Sequence, residues 1–289
     1  MQELSGRVAV ITGAASGFGR EFARLGARQG MKLVLADVDR AGLAALEREL
    51  AGTPCIAVPT DVSRAEDVAN LAQRTMKEFG AVHLLFNNAG VGSGGLIWEN
   101  SLADWQWVLG VNLWGVIHGI REFVPLMLAQ DCECHVVNTA SVAGLLSPPG
   151  MGVYNVSKHA VVTLSETLFH DLRLAGAKIG ASVLCPAFVP TGIHQSERNR
   201  PEELRNAEPL SASQRRSQEA TTKAVTSGRI TAAQVAEMTF EAIRDKRFYV
   251  LSHPRILDSV GLRMQDILAL RNPSDPFTYK PGVAPGTAA

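Results

Sequence analysis

The chain contains three tyrosines, and one of them, Tyr154, stands four residues before a lysine, Lys158. Residues at positions i and i+4 of a helix lie on one face, so these two side chains are expected to be neighbours. A free phenol has a pKa of about 10, and a nearby ammonium group favours the phenolate. The pair is therefore either a chance surface contact or a phenol that can act as a general base.

A glycine-rich loop near the start of the chain has the context of a phosphate-binding site. A buried strand pattern ends at Thr12, and an amphipathic helix pattern follows the glycines. Glycine lets the backbone approach a pyrophosphate closely, and a helix N-terminus offers free N–H groups to the anion. A loop between a strand and a helix predicts a dinucleotide site. The loop residues assigned to the cofactor are Gly13, Ser16, Gly17, Phe18 and Gly19.

The second strand pattern ends in an acidic residue that predicts which dinucleotide binds. Asp37 can accept hydrogen bonds from a ribose 2′-hydroxyl, and its charge would repel the 2′-phosphate of NADP. The residue that follows is Val38 and the loop carries Ser16, so neither position offers a cation to that phosphate. These residues predict NAD as the cofactor. The alternative for Asp37 is an ordinary turn carboxylate at a strand end.

Seven short apolar runs alternate with longer stretches of helical spacing. Continuous rather than alternating apolar residues are typical of strands that are buried on both faces. The strand runs are 7–12, 32–36, 55–58, 82–87, 135–140, 181–185 and 248–251, and the helical stretches include 41–50, 65–79, 105–128, 154–174 and 232–245. This alternation predicts an α/β protein: one Rossmann-like, doubly wound parallel sheet with helices on both faces.

Two later segments depart from the strand–helix alternation. Residues 190–230 are polar, follow a strand end, and predict either a solvated helical excursion or a mobile lid over the site. Residues 254–270 carry Ile256, Val260, Met264 and Ile267 at helical spacing, which predicts a C-terminal helix packed on the domain or on a neighbour. One domain is expected over 1–279, with a flexible tail at 280–289.

Composition excludes several classes of protein. The 28 basic and 28 acidic residues balance, which does not favour a nucleic-acid or membrane-surface partner. No run is apolar enough for a membrane span, and the N-terminus lacks a signal-peptide pattern, so we expect a cytoplasmic protein. Cys55, Cys132, Cys134 and Cys185 follow neither a disulfide nor a zinc spacing, and no metal is expected.

Taken together, the motifs resemble those of the short-chain dehydrogenases/reductases. The resemblance covers about residues 5–251 and rests on TGAASGFG, on NNAG at 87–90, on VNLWG around Asn112, on Ser141, and on YNVSK at 154–158. It implies that Tyr154 is the general base and that Ser141 holds the substrate oxygen. It further implies that Lys158 lowers the pKa of Tyr154 and binds the ribose, and that Asn112 holds a water connected to Lys158.

The same resemblance implies cofactor contacts at the ends of later strands. The adenine is expected beside Asp61 and Val62, and the ribose beside Asn88, Ala89 and Gly90. The loop PAFVPT, with Pro186, Val189 and Thr191, is expected at the nicotinamide. Here Ala187 replaces the glycine of the family pattern, which is tolerated only if its φ is negative. Helices that start near Asn112 and Tyr154 are expected to pair across a two-fold axis, giving a homodimer or homotetramer.

The substrate residues are predicted from the apolar side chains that surround these motifs. The candidates are Ser141, Leu145, Met151, Phe188 and Ile193, with Leu96, Leu146 and Val189 as further wall residues. Such a lining suits a bulky apolar or aromatic alcohol better than a sugar or a hydroxy acid. The chain as a whole also resembles the Cα-dehydrogenases of bacterial lignin β-aryl ether breakdown, which implies NAD-dependent oxidation of a benzylic secondary alcohol to a ketone.

Other functions are compatible with parts of this pattern. An NADP-linked ketone reductase is opposed by Asp37, and a steroid or other hydrophobic alcohol dehydrogenase shares the same motifs. A sugar epimerase or dehydratase would need a GxxGxxG loop and a larger substrate domain. An NAD-binding regulator without activity would be expected to lack Tyr154 or Lys158, and both are present.

Overall fold

The computed structural model describes residues 1–277, and its centre is a seven-stranded parallel sheet. The strands lie in the order β3-β2-β1-β4-β5-β6-β7. Their bounds are Val8–Thr12 (β1), Lys32–Asp37 (β2), Cys55–Pro59 (β3), Leu84–Asn87 (β4), Cys134–Thr139 (β5), Ile179–Cys185 (β6) and Tyr249–Leu251 (β7). The predicted Rossmann-like, doubly wound parallel sheet is therefore confirmed.

Helices cover both faces of the sheet. Their bounds are Gly17–Arg28 (α1), Arg40–Glu49 (α2), Ala65–Phe79 (α3), Leu102–Leu109 (α4), Gly115–Ala129 (α5), Gly152–Leu174 (α6), Ala212–Thr226 (α7), Ala232–Asp245 (α8) and Leu257–Leu268 (α9). One apolar cluster joins the sheet to α1, α2 and α8, and a second joins it to α3, α5 and α6. Because successive strand residues point to opposite clusters, the strands read as continuous apolar runs.

Aromatic rings tie the first helix to the centre of the sheet. Phe22 of α1 stacks on Phe86 of β4 with 4.4 Å between ring centroids, and Phe86 lies 5.6 Å from Phe240 of α8. All three side chains are fully buried. This stack fixes α1, and with it the loop that precedes α1, against the strand that leads into NNAG.

The C-terminal helix is present, and this chain covers its predicted apolar stripe only in part: Ile256 and Val260 are half-buried. Met264 and Ile267 are 41% and 54% exposed, whereas the buried residues of α9 are Leu262 and Asp266. The Asp266 carboxylate accepts hydrogen bonds from the Arg271 guanidinium at 2.8 Å and from the Ser274 backbone N–H at 3.0 Å. The exposed part of the stripe leaves packing on a neighbour as a prediction. The tail predicted at 280–289 lies outside the described residues.

Candidate active site

The sequence motifs meet at the carboxyl edge of the sheet around one open cavity. Its volume is about 620 Å³, and it is lined from the glycine loop at one end to the 190–230 segment at the other. The strand order reverses between β1 and β4, and ligands of doubly wound sheets bind at such a switch point. The cavity therefore lies where the fold is expected to hold a dinucleotide.

The glycine loop leaves space that side chains would fill. A Cβ atom on Gly19 would lie 2.1 Å from the Gly13 carbonyl oxygen, and one on Gly13 would lie 2.9 Å from Ala89 Cα. Gly13 also has a φ of 66°, in the left-handed region. Ser16 precedes α1, and its side chain caps none of the N–H groups of the first turn. These groups are free to bind an anion, so the loop fits a pyrophosphate.

Asp37 supports this loop as well as lining the cavity. One carboxylate oxygen accepts a hydrogen bond from the Ala15 N–H at 3.0 Å, and the other accepts from the Asp39 N–H at 3.0 Å. Burial raises the pKa of Asp37, and these two backbone donors act against that rise. Each oxygen keeps a second lone pair for a ribose hydroxyl. Val38 beside it is 45% exposed and lines the cavity rim.

The remaining predicted cofactor residues line the same cavity. Asp61 Oδ1 accepts a hydrogen bond from the Ser63 N–H at 2.9 Å, and the Val62 carbonyl oxygen lies 3.0 Å from His118 Nδ1. Asn88, Ala89 and Gly90 follow β4 and lie directly beside the glycine loop, where Asn88 Nδ2 donates to the Thr12 carbonyl at 2.9 Å. The structure thus brings together the predicted adenine, ribose and pyrophosphate residues.

Two threonines that the sequence reasoning missed hold the strand ends in register. Thr12 Oγ1 accepts hydrogen bonds from the backbone N–H groups of Asn88 and Ala89 at 2.9 and 3.1 Å. Thr139 Oγ1 donates to Asn88 Oδ1 at 3.3 Å. The ends of β1, β4 and β5 are joined in this way. The available signal was a threonine at the last position of both β1 and β5.

Asn112 lies in a π-helical turn, Gly110–Trp114, between α4 and α5. Its Oδ1 accepts a hydrogen bond from the Val91 N–H at 2.8 Å, and its Nδ2 donates to the Val91 carbonyl at 3.0 Å and to Ser157 Oγ at 3.1 Å. A Cβ atom on Gly90 would lie 3.4 Å from Asn112 Oδ1 and 3.5 Å from Lys158 Nζ. The Asn112 side chain therefore holds the backbone at Val91, just after NNAG, next to Lys158.

Tyr154 and Lys158 are neighbours on α6, and both are buried. Lys158 Nζ donates a hydrogen bond to the Thr139 carbonyl at 3.0 Å and lies 5.6 Å from the centroid of the Tyr154 ring. Ser141 Oγ accepts a hydrogen bond from the Ala143 N–H at 3.1 Å, which places this hydroxyl at the turn after β5. The burial of both side chains rules out a chance surface pair.

Burial shifts the pKa values of both side chains. It raises the pKa of the Tyr154 phenol to about 12, while a hydrogen bond with Ser141 acts in the opposite direction. Burial also lowers the pKa of Lys158 to about 8. The lowering of the tyrosine pKa by Lys158 together with the positive nicotinamide ring stays a prediction.

The loop after β6 accommodates alanine where the family pattern has glycine. The non-glycine residues with positive φ in the described part of the chain are Asp131, Lys246 and Leu270, so Ala187 has an ordinary backbone conformation. The Ala187 N–H donates to Ser252 Oγ at 3.1 Å, and this hydroxyl lies 2.8 Å from His253 Nδ1. The sequence reasoning missed these two partners because they follow β7, far along the chain.

At the substrate end, the predicted residues Met151, Phe188 and Ile193 line the cavity together with Leu146. Leu145 is a correction, since it packs against the core cluster of Val161, Val162 and Val183 instead. The short 3₁₀ turn Val142–Gly144 accounts for this, because it directs Leu146 toward the cavity. Leu96 is also absent from the lining. Pro186, Val189 and Thr191 line the cavity as predicted.

The 190–230 segment lines one end of the cavity and is joined to α4 by a buried ion pair. Arg200 Nη2 lies 2.7 Å from Asp104 Oδ1, with side-chain exposures of 4% and 5%. The guanidinium also lies 4.9 Å from the centroid of the Trp107 ring, and Asn206 Nδ2 donates to Asp104 Oδ1 at 2.9 Å. The sequence reasoning missed this network, which joins residues 200–206 to α4.

The described residues form neither a metal cluster nor a membrane span. Among residues 1–277, no group of three or more His, Cys, Asp or Glu side chains is arranged to hold a metal ion. Within the same residues, every helix is too short or too polar to cross a bilayer.

Comparisons with known proteins give the same assignment as the motifs. Residues 7–202 match the family model described as short chain dehydrogenase. A solved short chain dehydrogenase/reductase from Burkholderia phymatum, in complex with NAD, is 58% identical with a TM-score of 0.95, covering 96% of this chain and 100% of that chain.

Two curated relatives are similar over nearly the full chain. The CLA biosynthesis dehydrogenase/reductase of Lactiplantibacillus plantarum is 34% identical over 273 residues, or 93% of this chain and 95% of that protein. The C alpha-dehydrogenase of Sphingobium sp. strain NBRC 103272 / SYK-6 is 31% identical over 277 residues, or 93% of this chain and 87% of that protein.

Proposed function

The chain belongs to the short-chain dehydrogenase/reductase family, and we propose that it oxidises a bulky apolar or aromatic secondary alcohol to a ketone with NAD. The observation that carries this proposal is the meeting of Tyr154, Lys158 and Ser141 in one buried corner of a cavity whose other end is a glycine loop. Proton-transfer groups beside a dinucleotide subsite are what the oxidation of an alcohol needs.

The residues at the cofactor end fit NAD. The free N–H groups at the start of α1 suit the pyrophosphate, and Asp37 suits the ribose diol. The NAD complex of the 58% identical relative supports the same cofactor. When bound, NAD supplies a hydride acceptor and a positively charged ring next to the tyrosine.

The chain's own groups would handle the proton. We assign Ser141 to hold the alcohol oxygen and Tyr154 Oη to take the hydroxyl proton. Lys158 stays beside the phenol through its bond to the Thr139 carbonyl, and Asn112 holds the neighbouring backbone through Val91. With a phenol pKa of about 12 from burial, Tyr154 needs nearby positive charge before it can act as a base near neutral pH.

The apolar end of the cavity supports a substrate with a large hydrophobic body. We propose the benzylic Cα alcohol of a lignin-derived β-aryl ether, for which Met151, Phe188 and Ile193 supply apolar walls and Trp107 an aromatic one. The similarity to the Sphingobium C alpha-dehydrogenase supports this choice. Steroids and other hydrophobic alcohols are the comparison substrates, because the same catalytic residues and apolar walls could accept them.

The test is the rate at which reduced nicotinamide appears. A β-aryl ether alcohol, a steroid alcohol and a long-chain aliphatic secondary alcohol would each be supplied with NAD and with NADP. Fast oxidation of the aryl ether with NAD alone supports the whole proposal. Turnover of another alcohol with NAD retains the dehydrogenase and rejects the lignin substrate, and preference for NADP rejects the role of Asp37.

The Tyr154→Phe variant tests the proton-handling role separately. It should lose turnover by about a hundredfold or more, because general acid–base catalysis typically contributes 10²–10⁴-fold. Quenching of tryptophan fluorescence by NADH should remain, since the substitution removes one hydroxyl only. A variant that keeps near-normal turnover contradicts the assignment of Tyr154 as the base.

We also propose that the protein is a homodimer or homotetramer. Trp114, at the junction with α5, and Val156, on α6, are 50% and 45% exposed, which leaves apolar surface for a second copy. Light scattering after size-exclusion chromatography should give two or four times the chain mass of 30.9 kDa. A monomer at micromolar concentration contradicts the proposal.

A further inference from the structure

Arg198 belongs to the 190–230 segment, here called the lid, and two close approaches connect it with the glycine loop. A Cβ atom on Gly17 would lie 3.4 Å from Thr191 Cβ, so the start of the lid rests on the first turn of α1. Gly192 comes next, and a Cβ atom there would lie 3.4 Å from Arg198 Nη2. Arg198 itself lines the cavity. Its guanidinium is therefore near the pyrophosphate subsite rather than on the far side of the lid.

The bonds of Arg198 leave much of its charge available. Nη1 donates to the carbonyl oxygens of Gly192 at 3.0 Å and Gln195 at 2.9 Å, within the lid's own 3₁₀ helix Gly192–Asn199. No carboxylate within residues 1–277 pairs with this guanidinium. Arg200, two residues later, differs because it is paired with Asp104 and Glu197.

The glycine loop has no cation of its own for a phosphate. Arg20 and Arg24 of α1 are both committed to Glu49, each with an N–O distance of 2.5 Å. Lys158 is bonded to the Thr139 carbonyl at the catalytic end. A pyrophosphate here would otherwise meet only uncharged donors, the backbone N–H groups and the hydroxyls of Ser16 and Thr191, while a guanidinium binds phosphate oxygens through two parallel hydrogen bonds.

We propose that Arg198 is a phosphate-binding residue for the dinucleotide and that this contact seats the lid on the cofactor. The 3₁₀ helix Gly192–Asn199 would close over the pyrophosphate through one guanidinium. Cofactor binding and the placement of Ile193 in the substrate wall would then be one event, and the cofactor would bind before the alcohol. This role goes beyond the proton chemistry proposed above and does not depend on the identity of the alcohol.

The test compares ligands with and without the pyrophosphate. ADP-ribose contains it and adenosine does not, and both can be titrated as competitors of NADH fluorescence. The Arg198→Gln variant removes the charge but keeps N–H donors for the Gly192 carbonyl, and Arg198→Lys restores the charge. Arg205→Ala is the matched control, since Arg205 belongs to the same segment, bonds to Glu202 at 2.8 Å, and does not line the cavity.

We expect Arg198→Gln to weaken ADP-ribose binding about tenfold or more, as for loss of a charged hydrogen bond, and to change adenosine binding less than about twofold. Arg198→Lys should recover part of the affinity, and Arg205→Ala should match the wild type. Unchanged ADP-ribose binding in Arg198→Gln overturns the proposal. An equal loss for both ligands also overturns it, because Arg198 would then only stabilise the lid helix. Binding is read without turnover, so these outcomes are separate from failure of the proposed oxidation.

Discussion

Replacing Lys158 by methionine should change the stability of the protein in a way that depends on pH. Burial lowers the pKa of this lysine from its ordinary value of 10.5 to about 8 in the folded chain. At about 1.4 kcal/mol for each pH unit of difference, the buried ammonium lowers the free energy of unfolding by about 3 kcal/mol at neutral pH. Lys158→Met removes this penalty, while loss of the bond to the Thr139 carbonyl offsets about 1 kcal/mol of the gain.

The sign follows from proton binding. Between pH 8 and 10.5 the unfolded lysine keeps its proton while the folded lysine loses it. The unfolded state then binds more protons, so the stability of the wild type rises with pH across this interval relative to Lys158→Met. The advantage of the variant is fully present below pH 8 and disappears by pH 10.5.

Urea unfolding at several pH values measures this difference directly. Other titrating groups are shared by both proteins, so they cancel when the two free energies of unfolding are subtracted. Lys158→Gln serves as the control, because it packs differently from methionine and also lacks an amine. Both variants should show the same pH dependence against the wild type even if their absolute stabilities differ. A difference that stays constant from pH 7 to 10.5 would refute the reasoning.

Three further substitutions follow from the contacts. Asp37→Asn should reduce the preference for NAD over NADP about tenfold, measured as a ratio of kcat/KM values, because it removes the charge that repels a 2′-phosphate; an unchanged ratio contradicts this role. Arg200→Met should lower the free energy of unfolding by about 3–5 kcal/mol in urea, since it leaves the Asp104 carboxylate buried without its partner; Arg200→Met with Asp104→Leu should recover most of that loss. Ala187→Gly should lower stability by up to about 1 kcal/mol in thermal unfolding without altering NADH affinity, because Ala187 does not need a left-handed conformation.

The sheet and most helices could be predicted because their signals are local. Buried parallel strands must be apolar on both faces, and all seven predicted runs became strands. The helices predicted at 65–79 and 232–245 have those bounds in the structure, since their apolar residues recur with the helical period. The same rule could not say what covers the stripe of α9, because periodicity identifies a helix face and not the surface that packs on it.

The site residues could be predicted from the sequence where one motif holds the functional groups within a few positions of each other. Tyr154 and Lys158 are one helical turn apart, and Gly13 to Gly19 form one loop. Their partners could not be named, because Thr12 reaches Asn88 and Ala187 reaches Ser252 only through the pairing of strands distant in sequence. The effect of burial on the pKa of Tyr154 could not be predicted for a related reason, since burial is a property of the packed chain whereas charge proximity is visible in the sequence.

The 190–230 segment shows why composition alone does not predict which residues are buried. Residues 190–230 are polar, and polar segments are expected to be solvated. Yet Arg200 is nearly as buried as the core, since Asp104, Asn206 and the Trp107 ring together satisfy its guanidinium. By contrast, α7 is attached through single hydrogen bonds, such as Ser213 Oγ to Glu99 at 2.6 Å and Ser217 Oγ to the Gly150 carbonyl at 2.9 Å, and its one buried residue is Val225. The residues around Arg200 are therefore held firmly against α4, and α7 is held less firmly. We expect an alcohol larger than the cavity to displace α7 before it displaces the residues around Arg200.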